Sequence, residues 1–174
     1  VVNAACSHAR EIGQLVGTDL PVVPDAHEAG VTDQVERFFY PMVVDIEPTS
    51  DSENYYFYQG PSGAVLFCIT PKPKRMGETS ASTSEFLPMV VPRLLNLYPR
   101  LRHLKVRRVW RGMYPGTPDD RPLVGFDRGT EGIFHAVGMC GQGLMLGPGL
   151  GELVADLLVG GLAPEDNNGF EKLS

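Results

Sequence analysis

Eight of the chain's twenty glycines fall between Gly129 and Gly151, and this restricts the fold more than any other feature. The central run reads Ala136-Val137-Gly138-Met139-Cys140-Gly141-Gln142-Gly143-Leu144-Met145-Leu146-Gly147-Pro148-Gly149. It leads from a predicted strand over 132–138 into a predicted helix starting near Gly149. Backbone without Cβ atoms can approach a flat or anionic ligand closely. A helix that starts there directs unpaired N–H groups and its positive dipole end at such a ligand. The segment therefore suits a phosphate, or a ring that becomes anionic on reduction. The spacing is neither a phosphate loop nor a dinucleotide fingerprint, so a glycine turn that merely packs strand against helix stays open as the alternative.

The rest of the chain reads as a succession of short strands and three helices. Val1 to Ala5 is an apolar run of the kind found in buried parallel strands. Such a strand needs neighbours, so the expectation is a C-terminal portion of a longer polypeptide, the alternative being the edge strand of a small complete domain. Ser7 can cap a helix with a buried face of Ala9, Ile12, Leu15 and Val16 and a stop at Gly17. Pro21 to Thr32 reads as a polar connection. Residues 35–46 are rich in β-branched and aromatic types and predict a strand with an edge or bend at Pro41. Two strands, 54–60 and 63–70, flank the hairpin signal Gly60-Pro61-Ser62-Gly63. A loop over 70–83 precedes a capping-box pair, Ser82 and Glu85. The helical stripe Leu87, Val90, Val91, Leu94, Leu95 and Tyr98 follows, and Pro92 should kink it. A strand is expected at 104–111, and the last helix carries Leu150, Leu153, Val154, Leu157 and Leu158 on one face, stopping at Gly160-Gly161.

Charge and cysteine content exclude several classes. A net charge of −6 argues against generic attraction to nucleic acid. No apolar run reaches the roughly 18 residues that span a bilayer. Cys6, Cys68 and Cys140 are too few and too scattered for a disulfide framework or a zinc site, which fits a reducing, cytoplasmic setting. His8, His27, His103 and His135 have no metal-ligand spacing, so each is expected to be structural or exposed. Phe86 to Pro118 holds no acid but seven of the fifteen positive charges: Arg93, Arg100, Arg102, Lys105, Arg107, Arg108 and Arg111. This could be a carboxylate site or an acidic-partner surface, although a solvated face balanced by acids elsewhere accounts for it too. Arg108 and Arg111, near Trp110 and Tyr114, are the carboxylate candidates. Tyr55 to Tyr58 alternate as strand residues do, half toward a core and half toward a surface or pocket. Asp119-Asp120 reads as turn chemistry.

Three blocks in order then resemble the FAD-dependent D-amino-acid-oxidase-like superfamily, which includes glycine and sarcosine oxidases and related amine dehydrogenases. The first is Val1-Val2-Asn3-Ala4-Ala5, a helix, then Leu20-Pro21-Val22. The second is Trp110-Arg111-Gly112-Met113-Tyr114-Pro115-Gly116-Thr117-Pro118-Asp119 with Pro122-Leu123-Val124-Gly125. The third is Gly132-Ile133-Phe134, then Val137-Gly138 through Pro148 and Gly151. The resemblance implies an α+β fold: an antiparallel-rich mixed sheet with helices in a substrate domain, plus C-terminal strand and helix pieces of an FAD-binding domain. Residues 1–20 and 112–174 would belong to the FAD-binding domain and 21–111 to the substrate domain. The family's GxGxxG fingerprint is absent here, so the chain alone is expected to hold FAD poorly and to be inactive.

The resemblance further implies that Ala5, Cys6, Gly138, Gly141, Gly143, Leu144 and Met145 contact FAD, their N–H groups supporting charge on the reduced ring. Cys6 stands where the family usually has glycine. Tyr114 stands where glycine-oxidase-like members carry the arginine that clamps the substrate carboxylate. Gly112 replaces the cysteine that tethers flavin in monomeric sarcosine oxidases, and Met145 replaces their lysine near the flavin. Non-covalent FAD, no metal, and a substrate that need not be glycine or sarcosine follow as expectations, with Tyr114, Arg108 and Arg111 as the catalytic candidates. The implied reaction is oxidation of a CH–NH bond in an amino acid or small amine by hydride transfer to flavin. The implied partners are that substrate and the missing nucleotide-binding part of the same polypeptide, and apolar surface left exposed at the missing interface makes a homo-oligomer a further expectation. A non-catalytic module that keeps the fold without flavin is the rival reading, favoured by the departures at Cys6 and Tyr114.

Overall fold

In the computed structural model, residues 1–77 and 79–160 are described, and they form an α+β structure of two compact units. The first unit combines Val1–Pro24 with the chain from Tyr114 onward, and the second is Asp25–Met113. The chain passes between them at Pro24–Asp25 and Met113–Tyr114. The strands are β1 (Val2–Asn3), β2 (Val23–Gln34), β3 (Val43–Asp45), β4 (Ser52–Gln59), β5 (Ala64–Pro71), β6 (Val106–Gly116), β7 (Leu123–Phe126) and β8 (Phe134–Val137). The helices are α1 (Ala9–Leu15), α2 (Phe86–Leu97) and α3 (Gly143–Val159), with short 3₁₀ turns at Cys6–His8 and Pro99–His103.

In the first unit, β1 lies parallel to β8, and β7 lies antiparallel on the other side of β8. Ala9, Leu20, Val22, Leu123 and Val137 form one small core and Phe134, Val154 and Leu157 another. The entering strand is less buried than its sequence suggests. Asn3 faces inward, while Val1 and Val2 are exposed. Helix α1 departs from its stripe as well, because Ile12 and Leu15 face out, Leu15 at 81% exposure. Gly13 takes the inward position instead, since a Cβ there would sit 2.8 Å from the Thr18 carbonyl oxygen and 3.1 Å from Leu20. Ser7 is not a cap; it lies within the 3₁₀ turn ahead of α1. Gly17 does end the helix, with φ +86° and its N–H on the Gln14 carbonyl.

The second unit is a five-stranded sheet in the order β3-β4-β5-β2-β6, with α2 packed on one face. The hairpin at Gly60–Gly63 forms as expected, closed by Gly60 N–H to Ala64 O at 2.9 Å. Tyr55, Phe57, Phe67 and Ile69 point inward and meet Phe86, Val90 and Leu94 of α2. Tyr56 and Tyr58 lie on the other face, so the expected alternation holds. The Ser82–Glu85 capping box does not form, because Glu85 is drawn to Arg75 at 2.6 Å. Two readings fail outright. Most of Pro21 to Thr32, expected as a polar connection, lies in the twelve-residue strand Val23–Gln34, and of 35–46 only Val43–Asp45 is strand. In the latter stretch the buried Gln59 side chain replaces a ladder. Its Oε1 accepts from Phe38 N–H (2.9 Å), and its Nε2 donates to the carbonyls of Glu36 (3.2 Å) and Gly63 (2.8 Å).

Arg93 shows where part of the positive charge goes. Its guanidinium pairs with Asp45 at 2.9 Å, reaches Ser52 Oγ and the Glu47 carbonyl, and lies over the Tyr55 ring. Arg100 stacks on Phe38, and Arg102 bonds the Pro99 carbonyl. Burial, and secondarily the Asp45 carboxylate, push the Tyr55 hydroxyl up to about 12. An unfolded tyrosine ionises near 10, so the folded chain holds this proton longer. Its contribution to stability is full below about pH 10 and is lost as pH rises through about 12. Alkaline unfolding of Tyr55→Phe should therefore show a shallower loss than wild type across that window; parallel profiles would refute the assignment.

Candidate functional site

The glycine run leaves β8 through left-handed backbone. Gly138 (φ +72°), Cys140 (φ +48°) and Gly141 (φ +89°) all have positive φ. Cys140 carries a Cβ in that conformation at a cost of about 1–3 kcal/mol, and its surroundings hold it there. Its N–H donates to the Pro115 carbonyl at 3.3 Å, and its thiol lies 3.1 Å from the Gly138 carbonyl and 3.3 Å from Thr117 Oγ1. Gly138 is required by packing, because a Cβ there would meet the Thr117 methyl at 2.5 Å. Gly141 supports Tyr114, whose ring lies 3.2 Å from where a Cβ would stand. The structure thus joins Tyr114 to the glycine run, while Gly138 serves the interior.

Helix α3 begins at Gly143, six residues ahead of the start read from sequence, and it encloses Gly147, Pro148 and Gly149. Glycine and proline normally end helices. This one persists because Leu150, Leu153, Val154 and Leu157 pack against Val124, Phe134 and Ala136 of the sheet below. The first-turn N–H groups of an α-helix have no acceptor within the helix. Here Gln142 supplies no side-chain cap, and no acid lies in the first turn. Leu144 and Met145 are 95% and 75% exposed. Added Cβ atoms at Gly147, Gly149 and Gly151 would meet nothing within 4 Å. Met145 N–H turns back to the Gln142 carbonyl at 3.1 Å, which leaves the electropositive start of α3 to the N–H groups of Gly143 and Leu144.

The exit of β1 presents a second such segment. Cys6 is exposed and left-handed (φ +54°), a conformation that glycine adopts without strain. The backbone there thus keeps the form a glycine would give, with a thiol added. Asn3 organises the turn: its Oδ1 accepts from Ala5 N–H at 3.2 Å, and its Nδ2 donates to the Ala9 carbonyl at 2.9 Å. Nδ2 also lies 3.4 Å from Nδ1 of the buried His135, whose Nε2 is 2.9 Å from Asp127 Oδ2. Asp127 further accepts from Thr18 Oγ1 and from the N–H groups of Gly129 (2.8 Å) and Thr130 (2.6 Å). The Thr18 hydroxyl first, then His135, hold its carboxyl well below the usual carboxylate range. His135 is thus structural, as expected of it, but as part of a polar network no sequence spacing announces.

In the second unit, Arg111 is half-buried on β6 and Arg108 is exposed. A strand's two-residue period sets them on opposite faces. Arg111 donates from Nη1 to the Ala81 carbonyl at 3.2 Å, and its Nε is buried without a partner. Sequence reading missed the polar interior beside it. Asp25 accepts from Arg75 N–H (3.0 Å) and meets His27 Nε2 (3.1 Å), and Glu28 accepts from both the N–H (2.6 Å) and the hydroxyl (2.7 Å) of Thr83. These contacts tie the loop after β5 to β2. Among the described residues no helix is long and apolar enough to cross a membrane.

The sequence matches the family described as FAD dependent oxidoreductase over residues 1–157. It is 28% identical over 159 residues to the hydrogen cyanide synthase subunit HcnC of Pseudomonas protegens, covering 91% of this chain and 36% of that protein. It is 28% identical over 116 residues to glycine oxidase of Bacillus subtilis, covering 67% and 31%. The crystal structure of L-proline dehydrogenase from P. horikoshii superposes with a TM-score of 0.84 at 29% identity, covering 94% of this chain and 43% of that one. The chain therefore spans about a third of the length of the curated relatives it matches. Its family match covers most of its length, and the chain belongs to the FAD-dependent oxidoreductase family.

Proposed function

We propose that this chain is part of a flavoenzyme that binds FAD and oxidises the CH–NH bond of an amino acid or small amine. The carrying observation is the open, uncapped start of α3, entered through left-handed Gly138, Cys140 and Gly141. Its residues fit FAD: Gly141, Leu144 and Met145 are exposed, Gly143 is half-exposed, and no acid lies in the first turn of α3. Ala5 and Cys6 would add contact from the exit of β1, Cys6 in glycine-like backbone. When bound, FAD supplies the acceptor for the hydride. The chain's part is to place N–H groups and the helix dipole where negative charge accumulates. Gly112 offers no side chain for a covalent tether, so the cofactor would be non-covalent.

The substrate end of the proposal rests on Arg111. A buried N–H without an acceptor costs about 1–3 kcal/mol, and a carboxylate would satisfy it. Tyr114, leaning on Gly141, would hold the glycine run in place from below. Residues 1–24 and those from Tyr114 onward would then serve the flavin, and 25–113 the substrate. Exposed Val1, Val2, Leu15, Leu144 and Met145 support a further covering surface, supplied by the nucleotide-binding part of the polypeptide or by a second copy. Without that part this chain would bind FAD weakly and be inactive. Cys6, Cys68 and Cys140 are free thiols, which suits a cytoplasmic setting.

The test uses the protein at its full natural length. It should purify yellow, or become so with added FAD. Anaerobic mixing with glycine, L-proline or dimethylglycine should bleach the visible flavin band for at least one of them. A protein that stays colourless with FAD, or a bound flavin none of them bleaches, would overturn the reading, the former in favour of a non-catalytic module.

A further inference from the structure

The network beneath the exit of β1 has one feature that packing does not require. Asp127 is a carboxylate with a side chain only 1% exposed, beside a histidine at 7%. Burying a carboxylate costs free energy even where it is hydrogen-bonded, and apolar residues of the same volume would often serve packing as well. Its geometry, though, fixes a single protonation pattern. The Asn3 amide cannot be turned over: its oxygen is held by Ala5 N–H and its nitrogen by the Ala9 carbonyl, so a flip would set like against like at both. The second N–H of Asn3 Nδ2 is therefore left for His135 Nδ1, which must present a lone pair. The ring proton then sits on Nε2 and is donated to Asp127. Thr18, Gly129 and Thr130 supply the carboxylate's other donors, so no imidazolium is needed to satisfy it.

Asn3 and His135 are also direct register partners in the β1–β8 ladder. Asn3 governs the turn that leads into left-handed Cys6, and His135 lies three residues ahead of Gly138. The network thus links both backbone segments proposed above to face the cofactor. We propose that His135, held as its Nε2–H tautomer between Asp127 and Asn3, is a positioning residue for FAD that locks the Ala4–Cys6 turn in its cofactor-facing form. This rests on the flavoprotein reading. His135 acts through Asn3 and touches neither cofactor nor substrate.

Three variants of the full-length, FAD-loaded protein test it. Asn3→Asp keeps the shape but cannot donate to Ala9 or His135. It should add a second ring proton at Nδ1, giving an imidazolium between two carboxylates that is seen in the nitrogen spectrum of 15N-histidine-labelled protein, and weaken FAD at least about tenfold, the value of one lost hydrogen bond. His135→Phe should weaken FAD similarly and alter the visible circular dichroism of bound flavin. His135→Gln can donate to Asp127 and accept from Asn3, and should bind FAD within about threefold of wild type, that gap being worth less than half of such a bond. If His135→Phe does not fold, Asn3→Asp carries the test. An Nδ1–H tautomer in wild type would overturn the inference. So would Asn3→Asp and His135→Phe proteins that bind FAD as wild type while only melting lower. In both cases the flavoprotein reading survives. A wild-type protein that fails to bind FAD would overturn both.

Discussion

Replacing Arg111 by methionine is expected to raise the KM for an amino acid substrate roughly 10- to 100-fold, the value of one charge-assisted hydrogen bond lost from a desolvated site. It should do so without lowering the melting temperature of the ligand-free protein. Most removals of a half-buried arginine destabilise. This one deletes a buried Nε–H that has no acceptor and, among the described residues, forfeits an exposed bond from Nη1 to the Ala81 carbonyl. The methionine keeps the aliphatic stem against its neighbours, so packing is preserved. An amine without a carboxylate should show no change in KM, which separates anion binding from general damage to the site. Arg108→Met is the control: Arg108 is exposed on the opposite face of β6, and its loss should leave KM within about twofold, in the range of surface substitutions. An unchanged KM in Arg111→Met would remove Arg111 from the substrate site. A clear fall in melting temperature would make it a structural residue whose orphan donor is satisfied in another way.

That residue also shows what the sequence can and cannot disclose. Arg111 stood out because it lies in an acid-free stretch beside Trp110 and Tyr114, but its unsatisfied Nε depends on burial that only the folded chain defines. The hairpin at Gly60–Gly63 and the stripe of α2 were legible because each rests on local chemistry, turn glycines in one case and a 3.6-residue period in the other. Strand β2 was not legible. Asp25, His27, Glu28 and Thr32 are buried in it, and such residues read as loop until their partners are known. Those partners, Arg75 N–H, the Thr83 hydroxyl and Val65 N–H, lie 33 to 55 residues away. The early start of α3 was hidden for the opposite reason. Gly147, Pro148 and Gly149 speak locally for a break, and contacts on the far side of the helix outweigh them. The Asn3–His135–Asp127 network spans 132 residues between its first two members and left no periodic trace. The glycine run itself was readable as bare backbone, whereas its division into a buried part at Gly138 and an open part from Gly141 onward was not.

Phe67→Ala should destabilise the second unit by about 3–5 kcal/mol, the range for emptying a buried phenylalanine site. Phe67 is 1% exposed, stacks on Phe86 of α2 at 5.9 Å between ring centroids, and lies between Phe57 and Gly30 in the row across β4, β5 and β2. Its ring fills the space above Gly30. A Cβ added there would sit 2.4 Å from Phe67 Cζ, and a buried ring stacked on Phe86 has little room to withdraw. Gly30→Ala alone should therefore cost about 1–3 kcal/mol through overpacking. Phe67→Leu opens that space, so Gly30→Ala in its background should cost clearly less, a coupling of about 1 kcal/mol between residues in contact. Urea unfolding followed by near-ultraviolet circular dichroism, to which the Tyr55, Phe57 and Phe86 rings contribute, reads this unit's core. Strict additivity of the two substitutions would mean that residue 30 and the ring do not compete for space. The glycine in β2 would then serve the backbone rather than this aromatic contact.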